Sequence, residues 1–203
     1  MRLTATVAAL ALAAGVAGAV YADDMLVAKG SVTAGTGSNV TFKGDPLPLI
    51  GTGVKVGDPL PAATVTGAGL ARVNIAEAKG KVRIINIVPS LDTPVCNAQT
   101  HELAEKDPTL AQQIELVTVS MDLPFAQARW ARAAKVKDMT FLSDYRTAEF
   151  GMNTGLLIEP LHLLARTVIV TDKDGIVRYM QVVPEVTELP DMPAAVEAAK
   201  RLL

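Results

Sequence analysis

Runs of branched apolar residues alternate along this chain with segments whose apolar residues recur at helical spacing. Residues 82–88 and 114–120 are rich in Val, Ile and Leu, a composition typical of strands that are covered on both faces. The stretch between them is long enough for a helix, so the order strand, helix, strand predicts a right-handed crossover and parallel pairing. These two segments predict the centre of a β-sheet.

Shorter apolar segments, bounded by Gly, Pro, Asn and Asp, predict further strands. They are residues 40–50, which contain two strands around a Gly-Asp turn, residues 62–66, 71–75 and 139–142, and the pair 165–171 and 176–183. The sequence Asp-Lys-Asp-Gly between the last two segments is a strong hairpin signal. The chain thus predicts a hairpin near its N-terminus and mixed strand directions in the main sheet.

Three segments predict helices that cover this sheet. Pro94 and Pro124 each open one, since proline at the first helical position loses no intrahelical hydrogen bond. The third carries one apolar stripe that faces the sheet, formed by Met192, Ala195, Val196, Ala199 and Leu203. A further turn of helix is predicted at 147–152. The sum is an α/β, thioredoxin-like fold, with a central mixed β-sheet flanked by helices and an N-terminal β-hairpin.

The first two dozen residues have the pattern of an export signal. A basic start precedes an apolar run of Ala, Val, Leu and Gly, and small residues offer cleavage after Ala19 or Ala22. We predict a signal peptide over 1–22, a flexible tether rich in Gly, Ser and Thr over 23–39, and a thioredoxin-like domain over 40–203. Cleavage after Ala22 gives a periplasmic or secreted protein without stable membrane association, whereas an uncleaved segment would act as an anchor.

Charge and residue spacing exclude several classes of partner. The formal net charge is −2 and the basic residues form no run, so nucleic-acid binding is not expected. His101 and His162 stand far apart without the spacing of a metal site, and no phosphate-binding glycine motif occurs. Asp172 and Asp174 fit a hairpin turn better than a calcium loop, because the closing glutamate is missing. We therefore expect no cofactor and no metal.

Cys96 is the single cysteine of the chain. It follows the strand at 82–88 and comes two residues after Pro94, in the first turn of the predicted helix, where Asp92 or Thr93 is the cap. Unpaired backbone N–H groups and the helix dipole favour a thiolate there. One cysteine cannot form an internal disulfide, so Cys96 is an inert core residue, a link between chains or a reactive thiol.

Pro89, Thr93 and Cys96 form a spaced set in this segment. Pro89 fixes the loop, and the Thr93 hydroxyl can approach the Cys96 sulfur across one helical turn. A cation near this pair would stabilise both the thiolate and the charge that develops on a leaving oxygen. Taken singly, Thr93 is most simply a helix cap and Cys96 a small buried hydrophobe.

The same segment resembles the active-site pattern P-x-x-x-T-x-x-C of the peroxiredoxins, matched by Pro89, Thr93 and Cys96. Ser-Met-Asp-Leu-Pro-Phe-Ala-Gln-Ala-Arg-Trp at 120–130 resembles the signature of the thiol peroxidase subgroup, and Val-Thr-Phe-Lys-Gly at 40–44 resembles the N-terminal hairpin of that subgroup. The motifs occur in the family's order from residue 40 to the C-terminus, which makes the resemblance specific.

Another match supplies the cation. Leu-Ala-Arg-Thr-Val-Ile-Val at 164–170 resembles the family strand that carries the active-site arginine, so Arg166 takes that role. One position departs from the subgroup, in which the helical signature normally ends with a cysteine that resolves the oxidised one through an internal disulfide; here that position is Ala131. Phe125 and Trp130 in the same helix are expected in the core rather than in contact with substrate.

The resemblance implies a thiol-specific peroxidase that reduces hydrogen peroxide and organic hydroperoxides through a sulfenic acid at Cys96. Thr93 would orient the peroxide, Arg166 would stabilise the thiolate and Pro89 would shield the sulfur. Because Ala131 replaces the resolving cysteine, an external thiol, small or carried by a thioredoxin-like protein, must complete a one-cysteine cycle. The subgroup also implies a homodimer. The alternatives are a non-catalytic thioredoxin-fold protein that senses or binds through its thiol, and an interaction scaffold with a buried cysteine.

Overall fold

In the computed structural model of the protein, residues 25–77, 80–105 and 110–203 are described. Their strands are β1 (Asn39–Phe42), β2 (Asp45–Ile50), β3 (Thr64–Thr66), β4 (Arg72–Asn74), β5 (Val82–Ile87), β6 (Ile114–Ser120), β7 (Thr140–Ser143), β8 (Leu157–Ile158), β9 (Leu163–Leu164), β10 (Thr167–Thr171) and β11 (Val177–Val182). Their helices are α1 (Pro94–Glu105), α2 (Leu110–Gln113), α3 (Pro124–Ala133), α4 (Glu149–Thr154) and α5 (Met192–Lys200). Each helix and strand expected from the sequence corresponds to one of these elements.

The larger sheet of the described residues has seven strands in the order β11, β10, β5, β6, β7, β3, β4. β6 lies at its centre, between β5 and β7. β5 pairs in parallel with β6, with Val82 opposite Ile114, and β6 pairs in parallel with β7. The other neighbours are antiparallel. All six residues of β5 are buried, as expected for a strand covered on both faces. This confirms the α/β fold with a central mixed sheet flanked by helices.

The predicted N-terminal hairpin is also present, in a smaller sheet of order β1, β2, β8, β9. β1 and β2 pair antiparallel, with Phe42 opposite Asp45. The turn residues are Lys43 and Gly44, one position earlier than the expected Gly-Asp turn, and both have the positive φ that a two-residue hairpin loop requires. β8 and β9 were not predicted, because two residues are too few to show an alternating pattern.

The described part of the segment 23–39 is packed against the domain and is not the flexible tether that its composition suggested. Ala28 N–H donates to Leu189 O (2.7 Å), and Gly35 N–H donates to Gly155 O (2.9 Å). Glycine permits close contact here, since a Cβ on Gly155 would lie 2.5 Å from the Gly35 Cα. The folded domain therefore begins before β1.

The export signal predicted over 1–22 lies outside the described residues, so the signal and its cleavage after Ala22 stay predictions. Within the part of the chain that the structure describes, no helix combines the length and the apolar character needed to cross a membrane.

Two apolar clusters cover the two faces of the central sheet, and β5 contributes to both because successive side chains point to opposite faces. Ile84 shares one cluster with Met192 of α5. Ile85 shares the other with Leu49 of β2. The stripe predicted on α5 is buried except for Leu203, which lies beyond the helix and is 49% exposed.

Candidate active site

The loops that follow β5 and β6 meet at one edge of the central sheet, because parallel neighbours end on the same side. Val88 N–H donates to Val119 O (3.0 Å) at this edge. The loop after β5 leads into α1, which carries Cys96, and the loop after β6 leads into α3. This is the position at which open α/β sheets commonly bind their ligands.

The carboxylate of Asp122 joins the two loops. Ser90 Oγ donates to Asp122 Oδ1 (2.7 Å), and Leu91 N–H donates to Asp122 Oδ2 (2.8 Å). Ser120 Oγ also donates to Oδ2 (2.8 Å), which fixes the carboxylate at the end of β6. Pro89, predicted to fix this loop, is half-buried next to these contacts. Sequence reasoning included Asp122 in a motif but did not identify it as the anchor of the loop.

Cys96 lies in the first turn of α1, as predicted. Pro94 is the first residue of the helix, and Thr93 O accepts a hydrogen bond from Asn97 N–H (2.9 Å). Cys96 is fully buried and shares an apolar cluster with Val88, Leu91 and Trp130. The sulfur is therefore removed from water but remains close to the N-terminal end of a helix, where negative charge is favoured.

The structure brings Arg166 to Cys96, as the resemblance implied. Arg166 Nη2 lies 3.4 Å from Cys96 Sγ in hydrogen-bonding geometry. Its other donors are satisfied by Gln99 Oε1, which accepts from Nη1 (2.6 Å), and by Val186 O, which accepts from Nε (3.0 Å) and Nη2 (2.8 Å). Four hydrogen bonds thus fix the plane of the guanidinium against the sulfur.

The charge of Arg166 is buried and has no carboxylate partner among the described residues. Arg166 is only 2% exposed, and among the described residues it forms no ion pair with a carboxylate. The oxygens of Gln99 and Val186 that accept hydrogen bonds from Arg166 are neutral. Burying a cation is costly unless it is hydrogen-bonded or paired, and the Cys96 thiol is the one acceptor of Arg166 that can carry a negative charge.

A buried polar network extends from Arg166 behind Cys96. Gln99 Nε2 donates to Asn86 Oδ1 (2.6 Å), and Asn86 Nδ2 donates to Thr100 Oγ1 (3.0 Å). Thr100 Oγ1 donates in turn to Cys96 O (2.8 Å). Sequence reasoning missed these residues, although an asparagine in the apolar strand β5 and a glutamine three positions after the cysteine were available signals.

The Thr93 hydroxyl is directed elsewhere than predicted. It donates to Ser90 O (3.0 Å), and the Thr93 side chain is exposed. Thr93 precedes the first helical residue, Pro94, so its hydroxyl closes the turn that begins at Ser90 instead of hydrogen-bonding Cys96 Sγ. The structure therefore brings Arg166 into contact with the sulfur, and Thr93 into the loop that leads to it.

Helix α3 packs beside the cysteine. Ala131 is partly buried against the cluster that contains Cys96 and Trp130. Trp130 is in the core, as expected, and its Nε1 donates to Asn97 Oδ1 (3.0 Å). Phe125, also expected in the core, is 66% exposed, because the buried face of α3 is formed by Pro124, Gln127 and Trp130 and Phe125 does not lie on that face.

The histidines do not form a metal site in the described part of the chain. There, no group of three His, Cys, Asp or Glu side chains is arranged to hold a metal ion. His101 instead contacts the Trp130 ring, with the ring centroids 5.3 Å apart, and lies 3.3 Å from a Glu105 carboxylate oxygen.

Comparison with known proteins agrees with this geometry. A family model described as Redoxin matches residues 55–198, which include the cysteine loop and Arg166. The chain belongs to this family. The thiol peroxidase of Halalkalibacterium halodurans is 46% identical over 166 residues, which cover 82% of this chain and 99% of the relative. The thiol peroxidase of Bacillus subtilis is 45% identical over 166 residues, with the same coverage of both chains.

Two solved structures have the same fold. A crystal structure of a peroxiredoxin-like protein from Aquifex aeolicus superposes with a TM-score of 0.77 at 38% identity, covering 86% of this chain and 100% of that one. A thiol peroxidase from Chromobacterium violaceum gives a TM-score of 0.70 at 21% identity, covering 82% and 98%, and so supports the fold alone. The family model and the curated relatives confirm the predicted membership of the peroxiredoxins and of their thiol peroxidase subgroup.

Proposed function

We propose that this redoxin is a thiol-dependent peroxidase that reduces hydrogen peroxide and organic hydroperoxides to water and alcohols at Cys96. The observation that carries the proposal is the 3.4 Å contact between Arg166 Nη2 and Cys96 Sγ, in which a buried cation has a thiol as its ionisable acceptor. The thiol peroxidases that are 45% and 46% identical over most of the chain support it.

In the first half of the reaction, the Cys96 thiolate attacks the terminal oxygen of the hydroperoxide. A sulfur to oxygen bond forms, the oxygen to oxygen bond breaks, and the leaving alkoxide or hydroxide takes up a proton to give an alcohol or water. Arg166 stabilises the thiolate and the charge that moves onto the oxygens. Pro89 shields the sulfur. Thr93 orients the incoming peroxide once its hydroxyl leaves Ser90 O.

In the second half, an external thiol reduces the sulfenic acid. It forms a mixed disulfide with Cys96 and releases water, and a second thiol displaces Cys96 as a free thiol while the two reductant sulfurs join. Cys96 is the only cysteine in the sequence, and Ala131 occupies the position of the subgroup's resolving cysteine. A cycle within one chain therefore has no second sulfur, which supports a one-cysteine mechanism. The reductant is a small thiol or a thioredoxin-like protein.

Peroxide consumption with and without thiol tests this function. We expect continuous turnover with excess dithiothreitol or reduced thioredoxin, and consumption of no more than one equivalent of peroxide when the reduced protein is supplied alone. Cys96→Ser serves as the inactive control. Turnover without added thiol beyond one equivalent would refute the one-cysteine cycle, and a thiol that survives micromolar peroxide for many minutes would favour the non-catalytic alternative.

We further propose export and self-association. The apolar run at the start of the sequence supports a periplasmic or secreted location after cleavage behind Ala22, and the membership of the thiol peroxidase subgroup supports a homodimer. Expression of the full chain followed by cell fractionation and N-terminal mass analysis should find a protein that starts at Asp23 outside the cytoplasm. Light scattering of the purified protein should give twice the mass of one chain; a cytoplasmic, unprocessed monomer would contradict both proposals.

A further inference from the structure

We propose that Glu185 is a positioning residue, which holds the Val186 carbonyl under Arg166 by fastening it to the N-terminal hairpin and so keeps the guanidinium against Cys96. The inference rests on the proposed reaction at Cys96. It assigns the hairpin a part in that reaction, although the hairpin itself does not touch the cysteine loop through any hydrogen bond among the described residues.

The Val186 carbonyl is the main anchor of the guanidinium. It accepts from both Arg166 Nε (3.0 Å) and Nη2 (2.8 Å), and Nη2 is the atom that also reaches Cys96 Sγ. Because a guanidinium is planar and its donors form a rigid fork, two bonds to one oxygen fix its orientation as well as its position. The location of the Val186 carbonyl therefore decides where Nη2 lies.

The peptide that carries this carbonyl is held by the hairpin. Val186 N–H donates to Thr41 O (2.9 Å), and Thr41 N–H donates to Pro184 O (2.7 Å). These two bonds form a short parallel bridge between Thr41 of β1 and Glu185. The backbone on both sides of Glu185 is thus attached to β1 directly.

The Glu185 carboxylate completes this attachment. It accepts five hydrogen bonds, from Lys43 N–H (3.1 Å), Gly44 N–H (3.1 Å), Thr41 Oγ1 (2.9 Å), Thr187 N–H (3.2 Å) and Thr187 Oγ1 (2.8 Å). Burial favours the protonated form, but the hydrogen bonds outweigh it and hold the pKa of Glu185 at about 2. The carboxylate is therefore ionised at neutral pH, and it clamps the hairpin turn to the peptide next to Val186.

Two simpler roles for Glu185 predict different effects of its loss on the reactivity of Cys96. If Glu185 only stabilises the hairpin, its loss lowers stability and leaves the reactivity of Cys96 unchanged. If its negative charge acts through space, its loss favours the thiolate, since a nearby anion opposes a second one. A positioning role predicts the opposite sign, because a displaced Arg166 stabilises the thiolate less.

The test is Glu185→Gln in the full chain, with the rate of iodoacetamide alkylation of Cys96 measured against pH. We expect the midpoint of this profile to rise by about half to one pH unit, and the rate at a pH below the midpoint to fall by about three- to tenfold. Oxidation of Cys96 by one equivalent of peroxide should slow by a similar factor. Thr41→Val removes the hydroxyl that donates to the Glu185 carboxylate (2.9 Å) and to Pro184 O (3.2 Å), and it keeps the two backbone hydrogen bonds of the bridge. This variant should shift the profile in the same direction by less.

Asp172→Asn is the matched control. The Asp172 carboxylate fastens the turn between β10 and β11 in a comparable way, by accepting from Asp174 N–H (3.0 Å), Ile176 N–H (2.9 Å) and Arg178 Nε (2.6 Å). The Asp172 carboxylate has no hydrogen bond to Val186, whose carbonyl holds Arg166. Asp172→Asn should therefore lower the melting temperature without changing the alkylation profile of Cys96.

An unchanged or lowered midpoint in folded Glu185→Gln overturns the proposal, since these are the results of the structural and the through-space roles. If Glu185→Gln does not fold, the alkylation profile of Thr41→Val is the test: a raised midpoint supports the proposal, and an unchanged or lowered midpoint overturns it. The alkylation profile needs no peroxide, so failure of the positioning role is distinguishable from failure of the peroxidase function, in which wild-type Cys96 would resist peroxide altogether.

Discussion

Replacing Arg166 by methionine removes the buried charge that touches Cys96 while keeping an apolar side chain of similar length. The contact is 3.4 Å between Nη2 and Sγ, and the guanidinium is 2% exposed. At an effective dielectric constant of about 20, two unit charges about 4 Å apart interact by about 4 kcal/mol. The charge of arginine is spread over its guanidinium, so we take about half of that value, about 2 kcal/mol, for the stabilisation of the thiolate.

This energy corresponds to a rise of about 1.5 pH units in the midpoint of Cys96 alkylation. Arg166→Met also removes a hydrogen-bond donor to the peroxide oxygens, on which negative charge develops. This loss lowers the rate of Cys96 oxidation by a further factor of about 10² to 10³. The rate of Cys96 oxidation at neutral pH should therefore fall by at least about a hundredfold. Arg166→Lys keeps the charge but not the planar fork, so its rate should lie between those of the wild type and Arg166→Met.

The assay is stopped-flow fluorescence of Trp130, the single tryptophan of the chain, which shares an apolar cluster with Cys96. Arg166→Met also leaves Val186 O and Gln99 Oε1 without their donor, at a cost of about 1–3 kcal/mol for each group, so circular dichroism must first confirm a native fold. An oxidation rate within threefold of the wild type in a folded Arg166→Met protein would refute the reasoning.

Three other predictions concern stability and disulfide formation. Asp122→Ala should lower the free energy of unfolding in urea by about 2–3 kcal/mol, since two loop donors lose a charged acceptor, and an unchanged value would show that the loop is held by other contacts. Ala131→Cys should form an internal disulfide with Cys96 after peroxide treatment, detected by peptide mapping without reductant; its absence would mean that the two helices do not move enough. Burial raises the pKa of Asp144 to about 6. Between about pH 4 and pH 6, Asp144 is therefore protonated in the native protein and ionised in the unfolded chain. The free energy of unfolding should fall by up to about 3 kcal/mol as pH rises from about 4 to about 6. If the Asp144→Asn protein shows the same fall, the pH dependence does not come from Asp144.

The sequence predicted those parts of the fold that depend on long periodic segments. β5 and β6 were evident because most of their positions carry Val, Ile or Leu, and Pro94 and Pro124 marked the starts of their helices. The packing of residues 25–38 could not be predicted, because glycine that allows close backbone contact and glycine that gives flexibility have the same composition. Two-residue strands such as Leu157–Ile158 carry too little pattern to be detected.

The candidate site was predictable where a residue carries a recognisable chemical type in a motif. Cys96 and Arg166 were identified in this way, and the structure places them in contact. The Val186 carbonyl could not be identified, since every residue has a backbone carbonyl and only the fold selects this one. The orientation of the Thr93 hydroxyl also depends on the loop conformation, which residue spacing does not determine.

Mass spectrometry of the intact protein and of its Cys96 peptide, after one equivalent of hydrogen peroxide, tests the central claim most directly. A dimedone trap should show a sulfenic acid at Cys96 within seconds. Addition of an external thiol in place of the trap should give a mixed disulfide at Cys96 and then, with excess thiol, the free cysteine. A Cys96 thiol that remains unmodified, or peroxide that is consumed at full rate by Cys96→Ser, would contradict the account.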